Sequence, residues 1–181
     1  MRKLILQMQL SLDGFACGPN GELQWIFPGF DAECTAWEVD RLWEAGAHLM
    51  GSVTYGDMAA HWPTSTEPYA PPMNEIPKVV FSKSLRETSW GDTRIAPGEL
   101  AVEIDSLKRQ PGKDLLAHGG VRFARSLIDS GLVDEYRLMV HPVVLGKGLS
   151  PFSTLPAPAR LKLVDAITFQ TGVIAKSLHP A

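Results

Sequence analysis

Two strand-to-helix turns carry the residue types that hold phosphate groups. The first is Met50-Gly51-Ser52-Val53-Thr54, and the second is Ala117-His118-Gly119-Gly120-Val121. Glycine lets a backbone approach a phosphate closely, and the free N–H groups of a helix start attract an anion. Ser52 and Thr54 add hydroxyl donors. One such turn is equally explained by the geometry of a strand-to-helix connection. Two in one chain, with Ser82-Lys83 after an intervening strand, favour a dinucleotide laid across a sheet. The spacing is neither the GxGxxG of the ordinary dinucleotide fold nor a GxxxxGK[ST] phosphate loop, and no GxSxG nucleophile elbow is present.

A proton source is the next requirement. Asp13 is the first candidate, at the end of the first strand beside Gly14, where partial burial would raise its pKa. The same side chain could instead cap the turn, or anchor a substrate. Trp62-Pro63 follows the helix after Gly51, at the expected mouth of a cleft. Trp62 and Trp25 could stack on a flat ring or cover an apolar edge. His61 could donate a proton or face solvent. These three are the substrate-side candidates. His118 and His141 read as structural, and Trp37 and Trp43 as packing residues. Glu33, Glu38, Asp40, Arg41 and Glu44 read most simply as a solvated helix face.

The elements that must position these groups follow from periodicity. Leu4, Leu6, Met8 and Leu10 against Gln7 and Gln9 predict a strand over Lys3 to Leu10. A helix is expected from Asp31 to about Gly46, with Ala32, Ala36, Val39, Trp43 and Ala47 along its apolar face. Further strands are expected at Ala47–Met50, Lys78–Ser82, Thr93–Ala96, Asp114–Ala117 and Glu135–Val143. Helices are expected from Ser52, over Glu99–Arg109 and over Val121–Ser130. His61 to Pro77 holds five prolines and reads as a long loop. Two last strands, Leu161–Phe169 and Gly172–Leu178, are joined by the turn Gln170-Thr171-Gly172 and must run antiparallel. Strands alternating with helices imply a mostly parallel sheet covered on both faces.

The bulk numbers agree with one domain. The 181 residues are 45% hydrophobic and 20% charged, with a formal net charge of −3. No Lys/Arg cluster points to nucleic acid or an anionic membrane. Cys17 and Cys34 sit in no CxxC or Cys/His cluster, so a metal site is not expected and the thiols read as reduced in a cytoplasm. No stretch resembles a signal h-region or a membrane span.

Several segments in order resemble a known family. Ser11-Leu12-Asp13-Gly14-Phe15, Gly51-Ser52-Val53-Thr54-Tyr55, Val80-Phe81-Ser82-Lys83-Ser84-Leu85, Gly119-Gly120, Gly131-Leu132-Val133-Asp134-Glu135 and Pro142-Val143-Val144-Leu145-Gly146-Lys147-Gly148 all take part. Together they resemble the reductase domain of the bacterial riboflavin-pathway deaminase–reductase. They resemble even more the stand-alone proteins grouped with it as dihydrofolate-reductase-family proteins. The resemblance spans about residues 3 to 178. It implies a dihydrofolate-reductase-like three-layer α/β/α fold and NADPH as cofactor. Gly51, Ser52 and Thr54 would hold the phosphate region, Ser82 and Lys83 would lie near the adenosine 2′-phosphate, and Gly119, Gly120, Val121 and Arg122 would wrap the pyrophosphate. Ser52 departs from the family's usual Arg, and a hydroxyl cannot clamp a phosphate bidentately as a guanidinium does; Lys83 or Arg122 would have to compensate. The family commonly forms homodimers. Its nearest characterised activity reduces 5-amino-6-(5-phosphoribosylamino)uracil in riboflavin synthesis. The expectation is therefore an NADPH-dependent reductase of a small heterocyclic or carbonyl/imine substrate. A nucleotide-binding sensor that kept the cleft without turnover is the alternative.

Overall fold

Apolar runs buried on both faces build the centre of an eight-stranded sheet. The computed structural model describes residues 1–181. The strands are β1 (Leu4–Ser11), β2 (Ala47–Gly51), β3 (Lys78–Phe81), β4 (Thr93–Ala96), β5 (Leu115–His118), β6 (Glu135–His141), β7 (Leu161–Thr168) and β8 (Ile174–Pro180). Their spatial order is β4-β3-β2-β5-β1-β6-β8-β7. Neighbours from β4 to β6 pair in parallel, and β8 pairs antiparallel with both β6 and β7. The expected parallel sheet with an antiparallel C-terminal pair is what forms.

The two faces of the sheet are covered differently. Leu4, Leu6, Leu49 and Leu115 point to one face and pack under α4 (Leu100–Arg109) and α5 (Val121–Asp129). Ile5, Met50, Val80 and Leu116 point to the other, under α1 (Ala32–Trp43), α2 (Ser52–His61) and α3 (Ala70–Glu75). A smaller core of Cys34, Met139, Phe169, Val173 and Ala175 joins α1 to the β7–β8 hairpin. No helix is long and apolar enough to cross a membrane.

Two expectations about local structure need correction. The segment from His61 to Pro77 is not one loop, because Ala70–Glu75 forms α3. Pro71 and Pro72 lie in its first turn, where a missing N–H costs nothing. The buried stripe of α1 is also not the expected one. Cys34, Glu38 and Leu42 are its buried residues, whereas Ala32 and Ala36 are exposed. Glu38, expected on a solvated face, is only 4% exposed.

Candidate functional site

Parallel pairing brings Ser11, Gly51, Phe81, His118 and His141 to one edge of the sheet, the carboxyl ends of β1, β2, β3, β5 and β6. Ligands of open α/β sheets bind at this edge. The two glycine turns lie here and touch. Thr54 Oγ1 donates to the Gly119 carbonyl at 3.0 Å, across 65 residues of sequence. Thr54 was expected to hold a phosphate; its proton is instead spent on joining the turns. Gly120 has φ of 140°, and a Cβ there would stand 2.5 Å from Thr54 Oγ1. Only glycine fits this position.

Neither α2 nor α5 has a side-chain N-cap. Their first-turn N–H groups therefore have no side-chain acceptor, and the positive end of each helix dipole faces the same edge. Val121 and the exposed Arg122 open α5. This pair of helix starts fits the two phosphates of a dinucleotide. Ser82 and Lys83 are placed less simply. Ser82 Oγ accepts from the backbone N–H groups of Ser84 and Leu85, closing a tight turn. Lys83 Nζ lies 3.3 Å from Glu99 Oε1, with both side chains largely exposed. An exposed pair of this kind is weak, so a 2′-phosphate can compete for Lys83.

Asp13 does not have the environment expected of a proton donor. Its exposed carboxylate accepts from Ser11 Oγ at 2.7 Å and from the backbone N–H groups of Leu145 and Gly146 at 3.1 and 2.8 Å. The Ser11 bond first, and the two backbone bonds with it, hold its pKa below the ordinary carboxylate range rather than above it. Asp13 is an ionised tie between the end of β1 and the loop after β6.

The large cleft lies between α1, the short 3-10 helix at Gln24–Gly29, and the segment from Met58 to Tyr69; it measures about 1050 Å³. Phe30, Trp62, Tyr69 and Met58 give it aromatic and apolar walls, and Ala36 and Val39 contribute the face of α1 that was expected in the core. Trp62 lines this cleft, its ring centroid 6.1 Å from that of Tyr69. His61 is exposed, stacks edge-on against Trp62 and lies 2.9 Å from Glu67 Oε1. Trp25 is not in the wall. It packs edge-on against His141 at 5.3 Å.

Glu38 is the residue that sequence reasoning missed. Its Oε1 accepts from Gln9 Nε2 at 2.7 Å and its Oε2 from the Tyr69 hydroxyl at 3.0 Å. Because the Gln9 amide nitrogen faces a carboxylate, the Gln9 oxygen faces His141 Nε2 at 2.7 Å, and His141 must carry its proton there. Burial pushes the Glu38 carboxyl up to about 7, against the opposing pull of Tyr69 and Gln9. Burial also pushes His141 down to about 4, so that it stays neutral. The cleft thus has one buried acid able to exchange a proton near neutral pH. A second buried chain lies behind the glycine turns. His48 Nε2 faces the Pro72 carbonyl at 3.2 Å and must donate to it; its Nδ1 then accepts from His118 Nε2 at 2.8 Å. Burial lowers both pKa values, which fixes the ring ahead of Gly119 as a neutral tautomer.

Comparison with known proteins places this geometry. The uncharacterised protein YyaP of Bacillus subtilis is 33% identical over 184 residues, covering 98% of this chain and 95% of its own. A candidate riboflavin biosynthesis protein of Shewanella sp. PV-4 superposes with a TM-score of 0.77 at 20% identity, over 99% of both chains. The deaminase/5-amino-6-(5-phosphoribosylamino)uracil reductase of Thermotoga maritima gives a TM-score of 0.70 at 17% identity; 99% of this chain matches 57% of that one. The RibD C-terminal domain matches residues 2–175. With seven of the eight strands, β1 to β7, and both turns inside that match, the chain belongs to the RibD C-terminal domain family.

Proposed function

We propose that the chain is an NADPH-dependent reductase of a small heterocyclic or carbonyl/imine substrate. The observation that carries this reading is the path of α2. Its N-terminus forms the first glycine turn, and its far end supplies Met58 and then Trp62 to the cleft. One helix, rising about 1.5 Å per residue, ties a dinucleotide-type cradle to a pocket for a flat ring. When bound, NADPH supplies a hydride to an unsaturated carbon, and a proton must reach the neighbouring nitrogen or oxygen. Glu38 holds that proton on the cleft floor. Gln9 and Tyr69 fix its two oxygens. Family membership supports a reductase-like role related to riboflavin biosynthesis.

Fluorescence titration with NADPH and NADH, followed by NADPH oxidation across a substrate panel, tests the reading. Arg122→Ala is expected to weaken NADPH binding about tenfold, the size of one charge-assisted contact. Ser52→Arg is expected to strengthen it by a similar factor, with a smaller gain for NADH. Unchanged affinity in both variants would remove the two turns as the phosphate cradle.

The sensor reading keeps two features in its favour: Ser52 stands in place of the usual Arg, and Lys83 leans toward Glu99. Tight NADPH binding without oxidation by any panel member would favour it. The same proposal takes the chain as a homodimer. Leu163 and Val164, each 54% exposed on the outermost strand, are apolar surface that a second copy would cover. Leu163→Lys is expected to shift sedimentation to the monomer.

A further inference from the structure

The charge of the cleft limits what it can hold. Sixteen residues line it, and none is Lys, Arg or His. Four are carboxylic acids: Asp31, Glu38, Asp40 and Glu67. A phosphate monoester brings close to two negative charges and three strong acceptors, and proteins hold it with guanidinium or ammonium groups or with free backbone N–H groups. The cleft offers no such cation. The helix N-terminus at its rim, that of α1, carries the Asp31 carboxylate, which accepts from the Cys34 N–H at 2.7 Å and sets a negative charge where an anion would have to sit. The nearby cations are turned to acids of the chain. His61 faces Glu67, and Arg41 pairs with Glu44 Oε1 at 2.7 Å while lying over the Trp37 ring.

What the cleft does offer suits a flat ring. Trp62, Tyr69 and Phe30 supply aromatic surface for stacking, with Phe30 and Tyr69 edge-on at 6.4 Å. Gln9 and Glu38 present an amide and a carboxyl at the floor, the groups that pair with ring N–H and amino edges. The volume of about 1050 Å³ holds a fused ring system with a short polar side chain.

We infer that this cleft takes a flat nitrogen heterocycle, neutral or cationic, that carries no phosphate. The inference rests on the cleft being the substrate half of the proposed reductase site. It separates this chain from a reaction on a phosphoribosylamino-pyrimidine, despite the shared fold. Discrimination against phosphate is built into Asp31, Asp40 and Glu67 at the rim, and ring recognition into the walls and floor.

Riboflavin and riboflavin 5′-phosphate share one fluorescent ring and differ only by the phosphate. Quenching of flavin fluorescence on titration with the full chain reads their binding without any turnover. Riboflavin is expected to bind about tenfold more tightly at low salt, the size of the repulsion between a dianion and the rim carboxylates. The double variant Asp40→Lys/Glu67→Lys is expected to close most of that gap while still quenching riboflavin, which also reports that it is folded. Equal or tighter binding of the phosphate, a gap that ignores the double variant, or no quenching by either flavin would overturn the inference. Failure of NADPH to bind, measured separately, would overturn the reductase reading while leaving the flavin result to judge the cleft.

Discussion

Glu38→Gln is expected to make the protein more stable and the enzyme slower. In urea unfolding, the variant should exceed the parent by up to about 3 kcal/mol at pH 8, with the difference closing toward pH 5. The cause is the burial of an acid. Glu38 titrates near 7 in the folded chain against 4.5 in the unfolded one. Between those values the folded chain binds more proton than the unfolded chain, so stability falls as pH rises, and the whole penalty is in place above about pH 7. Glutamine keeps the accepting oxygen toward Gln9 and offers an amide donor to the Tyr69 oxygen, whose proton can turn to Thr35. Nothing in the network is left unpaired, and the titration is gone. A stability difference that does not change with pH would show that Glu38 does not titrate in this range. The buried histidines act at the other end. His48 and His141, held near 4 against 6.5 unfolded, withdraw stability as pH falls through that interval, in parent and variant alike. If Glu38 is the proton source, kcat should fall about 10²- to 10⁴-fold, and the loss of rate expected of the parent above pH 7 should be absent from the variant's profile.

Gly120→Ala is expected to empty the cofactor site without unfolding the sheet. The backbone at φ 140° lies in a region that L-residues do not occupy, a strain of about 1–3 kcal/mol. The new methyl would also meet Thr54 Oγ1 at 2.5 Å. Thr54 must then release Gly119, and the two helix starts lose their shared geometry. NADPH affinity should fall by more than about tenfold. Gly14→Ala is the control, because Gly14 also has positive φ, of 85°, with nothing within 4 Å of a Cβ. It should show the strain and keep the cofactor. Adding Thr54→Ala to Gly120→Ala should recover the steric part and leave the backbone part, and the non-additivity of that cycle measures the contact. Equal NADPH affinity in Gly120→Ala and the parent would mean that the second turn is not a phosphate cradle.

The sheet was legible because each strand ends at a glycine, proline or polar turn, and the inner strands β2, β3 and β5 are short buried runs between such turns. The C-terminal hairpin came out of Gln170-Thr171-Gly172 in the same manner. The face of α1 was not legible. Apolar spacing selects Ala32, Ala36 and Val39, and these do form a stripe, but it lines an open cleft rather than the core. The buried stripe runs through Cys34, Glu38 and Leu42, with a charge at its centre. A carboxylate there is tolerable only with Gln9 and Tyr69 beside it, 29 and 31 residues away. That pairing exists only after β1 and α3 have folded around α1. Asp13 failed in the opposite sense. Its place at the end of β1 was right, but the loop that donates Leu145 and Gly146 comes from the other half of the chain. The prolines that announced a loop at 61–77 hid α3, because two of them fall in the one helical turn that accepts them.

The place of β1 in the sheet has a consequence for the order in which the chain can be built. Its neighbours are β5 and β6, which begin at Leu115 and Glu135. During synthesis β2, β3 and β4 can pair with one another as they leave the ribosome, while Leu4–Ser11 waits for residues more than a hundred positions later. Such non-local pairing makes folding slow and leaves an apolar strand uncovered meanwhile. A nascent chain stopped before Glu135 holds its central strand with one side open, the condition in which chaperones capture it or two chains aggregate.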